Sequence, residues 1–109
     1  MNELLFAVQK YVKLEEKILS VVIGVFEKEN FTFSYQYGIC VATNMRVIFY
    51  GKLPYYPATF EEYAYLCMED IGTVPQLAFT HNGETVKAKH IQKGNIEQFA
   101  YVVQGHLNN

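Results

Sequence analysis

The sequence has no excess of basic residues, which argues against binding to nucleic acid. Its 109 residues include nine Lys and Arg against eleven Asp and Glu, a formal net charge of −2. Proteins that bind duplex DNA need clustered cations to neutralise phosphates. Charged residues make up only 18% of the chain and apolar residues 50%. This composition excludes a disordered tail and predicts one globular domain with a single core.

Long apolar runs, a cationic leader and paired cysteines are also missing. The longest strongly apolar run, Ile18–Phe26, is far shorter than the roughly 20 residues of a membrane-spanning helix. The first ten residues lack the features of a signal peptide, so we expect a cytoplasmic protein. Cys40 and Cys67 lie far apart in apolar, strand-like sequence, which predicts reduced, buried thiols rather than a disulfide.

The common enzyme signatures are absent as well. The chain contains no His-Glu-x-x-His, Cys-x-x-Cys or Gly-x-Ser-x-Gly motif and no phosphate-binding glycine loop. Its only serines, Ser20 and Ser34, lie in predicted strands, and Asp70 is its only aspartate. We therefore expect a protein that is not an enzyme, without a metal, a cofactor or an evident small-molecule substrate.

What the sequence does contain is a helix at each end. Apolar residues from Leu4 to Val12 share one face, which predicts a short amphipathic helix over about 3–12 within a lead-in of residues 1–16. The second helix begins after Asn95, a capping residue, and has apolar residues at helical spacing. Gly105 is positioned to end it.

Between the helices, β-branched and aromatic residues at strand spacing predict six or seven antiparallel strands. Asn82-Gly83 favours a type I′ turn and marks the clearest hairpin. Gly38 suggests a break between two strands. In chain order, the predicted strands cover residues 17–27, 31–37, 39–42, 45–50, 59–68, 76–81 and 84–90.

Strands followed by a helix indicate a mainly β (α+β) fold, a strongly bent sheet or partly open barrel with one end plugged by the C-terminal helix. The expected organisation is a lead-in over residues 1–16 and one domain over residues 17–109.

The hairpin Val41–Gly51 reads Val-Ala-Thr-Asn-Met-Arg-Val-Ile-Phe-Tyr-Gly. It resembles the Ala-Thr-Asn-x-Arg-aliphatic-aliphatic-Phe hairpin of bacterial pleckstrin-homology (PH)-like domains, especially the YokE-like group. Leu66–Ile71 and Ile91–Phe99 also resemble segments of that family. The resemblance implies a partly open barrel of two antiparallel sheets capped by the C-terminal helix, with a short N-terminal helix here. It implies no reaction, because such folds carry many different sites.

The sequence departs from lipid-binding PH domains at the loop after the first strand. Those domains place several basic residues there, whereas this chain has Glu27-Lys28-Glu29-Asn30. One lysine between two glutamates has little local positive potential. We therefore expect no inositol-phosphate site of that kind.

Two other segments are candidate interaction sites. Leu53, Tyr55 and Tyr56 lie in a proline-stiffened loop, which either inserts into a partner surface or folds back on its own domain. Lys87 and Lys89 alternate with apolar residues, with Lys93 just beyond. They form either a weak site for anionic lipid or an acidic partner, or an ordinary solvated edge.

Arg46 is the only arginine, and it also has two interpretations. It is either an anchor for an anion or the partner of a nearby acid such as Glu62 or Asp70.

Three functional hypotheses follow. The leading one is a non-catalytic module that binds another protein or itself through an exposed strand edge and the aromatic loop. The alternative is peripheral binding to anionic membrane lipids through the lysines and that loop. The third is an enzyme or small-ligand carrier that uses a pocket between the sheet and the C-terminal helix. The N-terminal helix is able to pack on its own domain or on a neighbouring chain.

Overall fold

The computed structural model describes residues 3–28, 35–52 and 57–107. Within these ranges, seven strands lie between an N-terminal and a C-terminal helix. No helix in these ranges has the length and apolarity of a membrane span. The elements are α1 (Glu3–Val8), β1 (Ile18–Lys28), β2 (Tyr35–Thr43), β3 (Arg46–Gly51), β4 (Thr59–Ala64), β5 (Met68–Gly72), β6 (Ala78–His81), β7 (Glu84–Lys93) and α2 (Ile96–Leu107).

The strands form one curled antiparallel sheet in the order β4-β3-β2-β1-β7-β6-β5. The central strand β1 pairs with β2 on one side and β7 on the other, so it belongs to both halves of the barrel. The two antiparallel sheets expected from the sequence are thus joined through β1 into one continuous half-barrel. This confirms the expected fold of a partly open barrel with a C-terminal and a short N-terminal helix.

The β1–β7 pairing is irregular at the point where the sheet bends. The register shifts between Ile23 and Gly24 and again between Val25 and Phe26, which is the signature of bulges that increase local twist. A Cβ atom at Gly24 would lie only 1.9 Å from the carbonyl oxygen of His90. Glycine at this position therefore lets the backbone of β7 approach β1 closely.

Both faces of the sheet are covered. The inner face holds the main core, in which residues of β1 to β7 pack against Phe99 and Val103 of α2. The outer face of β1, β2 and β3 is covered by Leu4 and Val8 of α1. Burial on both faces explains why these three strands read as nearly continuous apolar runs instead of alternating. In this structure, α1 packs on its own domain.

The turn and cap signals in the sequence are confirmed. Asn82 and Gly83 have φ values of 51° and 82°, as a type I′ turn between β6 and β7 requires. The side-chain oxygen of Asn95 accepts a hydrogen bond of 2.9 Å from the backbone N–H of Gln98 at the start of α2. Gly105 does not end the helix, which continues to Leu107.

Two strand predictions were wrong. The single strand expected over 59–68 is split into β4 and β5 by a 3₁₀ turn over Tyr65–Cys67, and the two strands lie on opposite edges of the sheet. The break expected at Gly38 does not occur, and β2 is continuous. A Cβ atom at Gly38 would lie 2.7 Å from the ring of Phe49, so glycine is needed there for close packing.

The cysteine prediction holds in part. Both thiols are free. Cys40 is buried, and this burial raises the pKa of its thiol to about 12. Cys67 is exposed because it lies in the 3₁₀ turn and not in the predicted strand.

Gly24→Ala should reveal how strongly the fold depends on this close approach. We expect the free energy of unfolding to fall by about 3 kcal/mol, since the new methyl group collides with backbone atoms of β7. Urea denaturation monitored by circular dichroism measures the change. The matched control is Gly72→Ala, because no atom lies within 4 Å of the Cβ position there and the effect should stay below about 1 kcal/mol. Equal effects of the two substitutions would contradict the proposed role of Gly24.

Candidate functional site

Arg46 lies at the start of β3 with its guanidinium occupied by contacts within the chain. It binds both carboxylate oxygens of Glu16, through Nε at 3.0 Å and Nη2 at 3.1 Å. Nη2 also donates to the carbonyl oxygen of Tyr11 at 2.9 Å, and Nη1 forms an ion pair with Glu62. The side chain is only 11% exposed. The predicted pairing with Glu62 is present, and Glu16 is the partner that the sequence did not indicate.

Asp70, the other predicted partner of Arg46, is used elsewhere. Its side-chain oxygen accepts a hydrogen bond of 2.8 Å from the backbone N–H of Ile71.

Glu16 is an ionised carboxylate with a fully buried side chain. Burial alone would raise its pKa, but hydrogen bonds from Arg46, Thr43 and the backbone of Lys13, together with the positive charge of Arg46, outweigh that effect. The pKa of Glu16 is therefore lowered to about 2. The Thr43 hydroxyl donates to this carboxylate at 2.6 Å.

The Ala-Thr-Asn-x-Arg motif thus joins the segment before β1 to the β2–β3 hairpin. Thr43 Oγ1 also accepts hydrogen bonds from the backbone N–H groups of Met45 and Arg46, at 3.0 and 3.1 Å. Asn44 exchanges two hydrogen bonds with the backbone of Lys17, at 2.7 and 3.1 Å. Each polar residue of the motif has a partner in the fold, which favours the structural interpretation of Arg46.

Lys87 and Lys89 project from the outer face of β7, as predicted, because Val86 and Ala88 point into the core. Lys89 Nζ lies 3.5 Å from a carboxylate oxygen of Glu27 on β1. Glu27 is also the register partner of Lys87. The positive potential of this pair of lysines is therefore partly neutralised.

Lys93 lies on the same outer side of the sheet but does not stand beside Glu27. A bulge inserts one residue between Ile91 and Lys93, so Lys93 faces Ile23 across the β1–β7 pairing. It borders a groove beside α1 instead. The predicted aromatic loop residues Leu53, Tyr55 and Tyr56 lie outside the described residues.

The other end of β1 carries a buried lysine that the sequence did not reveal. Lys28 forms an ion pair with Glu61, and its ammonium lies 5.1 Å from the centre of the Phe49 ring. Removal from water lowers the pKa of Lys28 to about 8, against the opposing influence of Glu84. Lys28 therefore points into the barrel and does not extend the positive surface of a loop.

A group of apolar side chains is exposed at the end of the barrel where α2 packs. Leu14 and Met45, 101% and 46% exposed, line a shallow hollow. Leu19 and Tyr101, 41% and 81% exposed, line a groove along α2. Met45 follows Asn44 in the chain and Leu19 lies two residues after Lys17, and Asn44 and Lys17 are joined by two hydrogen bonds. We call these four residues the apolar end patch.

Within residues 3–28, 35–52 and 57–107, no three His, Cys, Asp or Glu side chains come together as metal ligands. The chain matches a family model described as a bacterial PH domain over residues 12–105. No curated protein and no solved structure matches the chain.

The lowered pKa of Glu16 makes stability depend on pH in a defined direction. The carboxylate has a pKa of about 2 in the folded chain against 4.5 as its ordinary value. Its stabilisation is therefore complete above about pH 5 and is lost as the pH falls towards 2, by on the order of 3 kcal/mol. Glu16→Gln should be less stable at neutral pH and should lack this part of the acid dependence.

Urea denaturation at a series of pH values tests this expectation. The control is Glu15→Gln, because Glu15 is the exposed neighbour of Glu16 and should keep the acid dependence of the unchanged protein. An acid dependence in Glu16→Gln as steep as that of the original chain would contradict the assignment.

Proposed function

Because this chain belongs to the bacterial PH domain family, we propose that it is a non-catalytic interaction module that binds a second copy of itself through the apolar end patch. The observation that carries the proposal is the exposure of Leu14, Leu19, Met45 and Tyr101 around one end of the barrel. Single exposed apolar residues are ordinary on protein surfaces, but here each of two hollows is lined by a pair of them, which favours a contact site.

The charges next to the patch support a second copy as the occupant. Lys13 and Glu15 border the same hollow as Leu14 and Met45. In an interface with two-fold symmetry, the same patch meets itself in reversed orientation, so the lysine of one copy can face the glutamate of the other. The net charge of −2 produces little repulsion between two copies.

We propose that the chain is not catalytic because its buried polar side chains already bond to one another. Arg46, Glu16 and Thr43 bond to one another, and Lys28 pairs with Glu61. Residues committed to such bonds are not available to bind and polarise a substrate. We also propose a cytoplasmic location and membership of the YokE-like group, the latter on the residues of the Val41–Gly51 hairpin.

Size-exclusion chromatography with light scattering tests self-association. We expect the unchanged chain to dimerise at tens of micromolar concentration. The double variant Leu14→Lys/Tyr101→Lys should have a dimer dissociation constant at least about tenfold higher, since each lysine must be desolvated in the interface. The matched control is Phe6→Lys, because Phe6 is 62% exposed on α1, outside the patch. A strictly monomeric unchanged chain, or equal weakening by Phe6→Lys, would contradict the proposal.

Peripheral binding to anionic membranes is the second candidate. It is favoured by the projection of Lys87 and Lys89 from the outer face of β7 and opposed by the proximity of Glu27. Each basic residue near an anionic surface contributes on the order of 1 kcal/mol.

Co-sedimentation with anionic and neutral vesicles at low and high salt tests this candidate. Membrane binding predicts sedimentation with anionic vesicles only, weakened by salt and lost in Lys87→Glu/Lys89→Glu. Lys13→Glu/Lys17→Glu makes the same charge change beside the apolar end patch and should leave sedimentation nearly unchanged. This function would be contradicted if vesicle binding did not change with salt concentration, or if both double variants weakened it equally.

A further inference from the structure

A groove of about 640 Å³ runs between α1 and the outer face of the sheet. One wall is formed by Leu4 and Ala7 of α1, and the other by Tyr37 of β2 and Tyr50 of β3. The groove lies outside the apolar end patch and shares no residue with it. Its volume is within the range of sites that hold small organic ligands.

Two lysines contribute the positive charge of this groove. Lys52, which follows β3, and Lys93, at the end of β7, both line it and are both exposed. Among the described residues, no carboxylate lies within ion-pair distance of either ammonium. This contrasts with Lys28 and Lys89, which each have a glutamate partner.

The placement of Lys93 depends on the bulge in β7. Without the extra residue between Ile91 and Lys93, Gln92 would stand opposite Ile23, because Ile91 is the partner of the adjacent Gly24. The insertion moves the lysine to the position facing the outer surface of β1. The displaced Gln92 accepts a hydrogen bond of 3.1 Å from the Tyr37 hydroxyl, which fixes one wall of the groove.

The second tyrosine is also held in place. The ring of Tyr50 lies 5.7 Å from the ring of Tyr11, which stacks on Phe60 at 4.3 Å. Both tyrosines therefore have fixed neighbours, and the apolar walls are formed before any ligand arrives.

We propose that this groove binds an amphipathic anion, a single carboxylate or phosphate head group joined to an apolar chain. The head group lies between Lys52 and Lys93, and the apolar chain packs against Leu4, Ala7 and the two tyrosine rings. Glu3 lines the same groove and repels a second anionic group elsewhere on the ligand, so the ligand carries a single anionic head group. The carboxylate would come from a free fatty acid and the phosphate from a lipid-derived monoester.

Isothermal titration calorimetry with octanoate and octyl phosphate tests the proposal, and amide chemical shifts locate the site. We expect at least one of the two anions to bind and to shift amides of α1, β2 and β3. 1-Octanol, which lacks the charge, and acetate, which lacks the chain, should bind at least about tenfold more weakly. The preferred anion identifies the source of the head group.

Lys52→Gln/Lys93→Gln should weaken binding of the preferred anion at least about fivefold. The matched control is Lys87→Gln/Lys89→Gln, which removes the same charge from the outer face of β7 and should leave the affinity unchanged. The proposal is overturned if neither anion binds, if 1-octanol binds equally well, or if both double variants weaken binding to the same extent. None of these outcomes depends on self-association through the apolar end patch.

Discussion

The ion pair between Glu16 and Arg46 is the constraint on which this end of the molecule depends. A buried carboxylate is tolerated only when charge and hydrogen bonds compensate for its removal from water. Here the guanidinium of Arg46 and the hydroxyl of Thr43 provide that compensation. Because Arg46 also pairs with Glu62 of β4, one arginine ties the N-terminal segment, the β2–β3 hairpin and an edge strand together.

The same hairpin connects to the C-terminal helix. The Tyr65 hydroxyl donates to the carbonyl oxygen of Thr43 at 2.6 Å, and the Tyr65 ring stacks on His106 of α2 at 4.4 Å. Tyr65 lies in the 3₁₀ turn that separates β4 from β5. The chain therefore changes from one edge of the sheet to the other at a point fixed by contacts to both the hairpin and the helix.

The polar residues of the Ala-Thr-Asn-x-Arg motif and two exposed surfaces have different roles. The polar residues of the motif satisfy one another, so they stabilise the fold. Two exposed surfaces of the described residues are the apolar end patch and the groove with Lys52 and Lys93. The two surfaces differ in character, since the first is mainly apolar and the second combines apolar walls with positive charge. We have proposed a second copy of the chain as the ligand of the first and an amphipathic anion as the ligand of the second.

Local signals in the sequence determined the elements whose physics is local. The Asn82-Gly83 turn, the Asn95 cap and the outward projection of Lys87 and Lys89 all follow from backbone preference or strand alternation. Only the tertiary structure decided four other features. These are the pairing of Arg46 with Glu16, the division of residues 59–68 into β4 and β5, the inward direction of the Lys28 side chain and the position of Lys93. Each depends on residues distant in sequence or on a register shift. Which distant residues come into contact cannot be predicted from the local pattern of a single sequence.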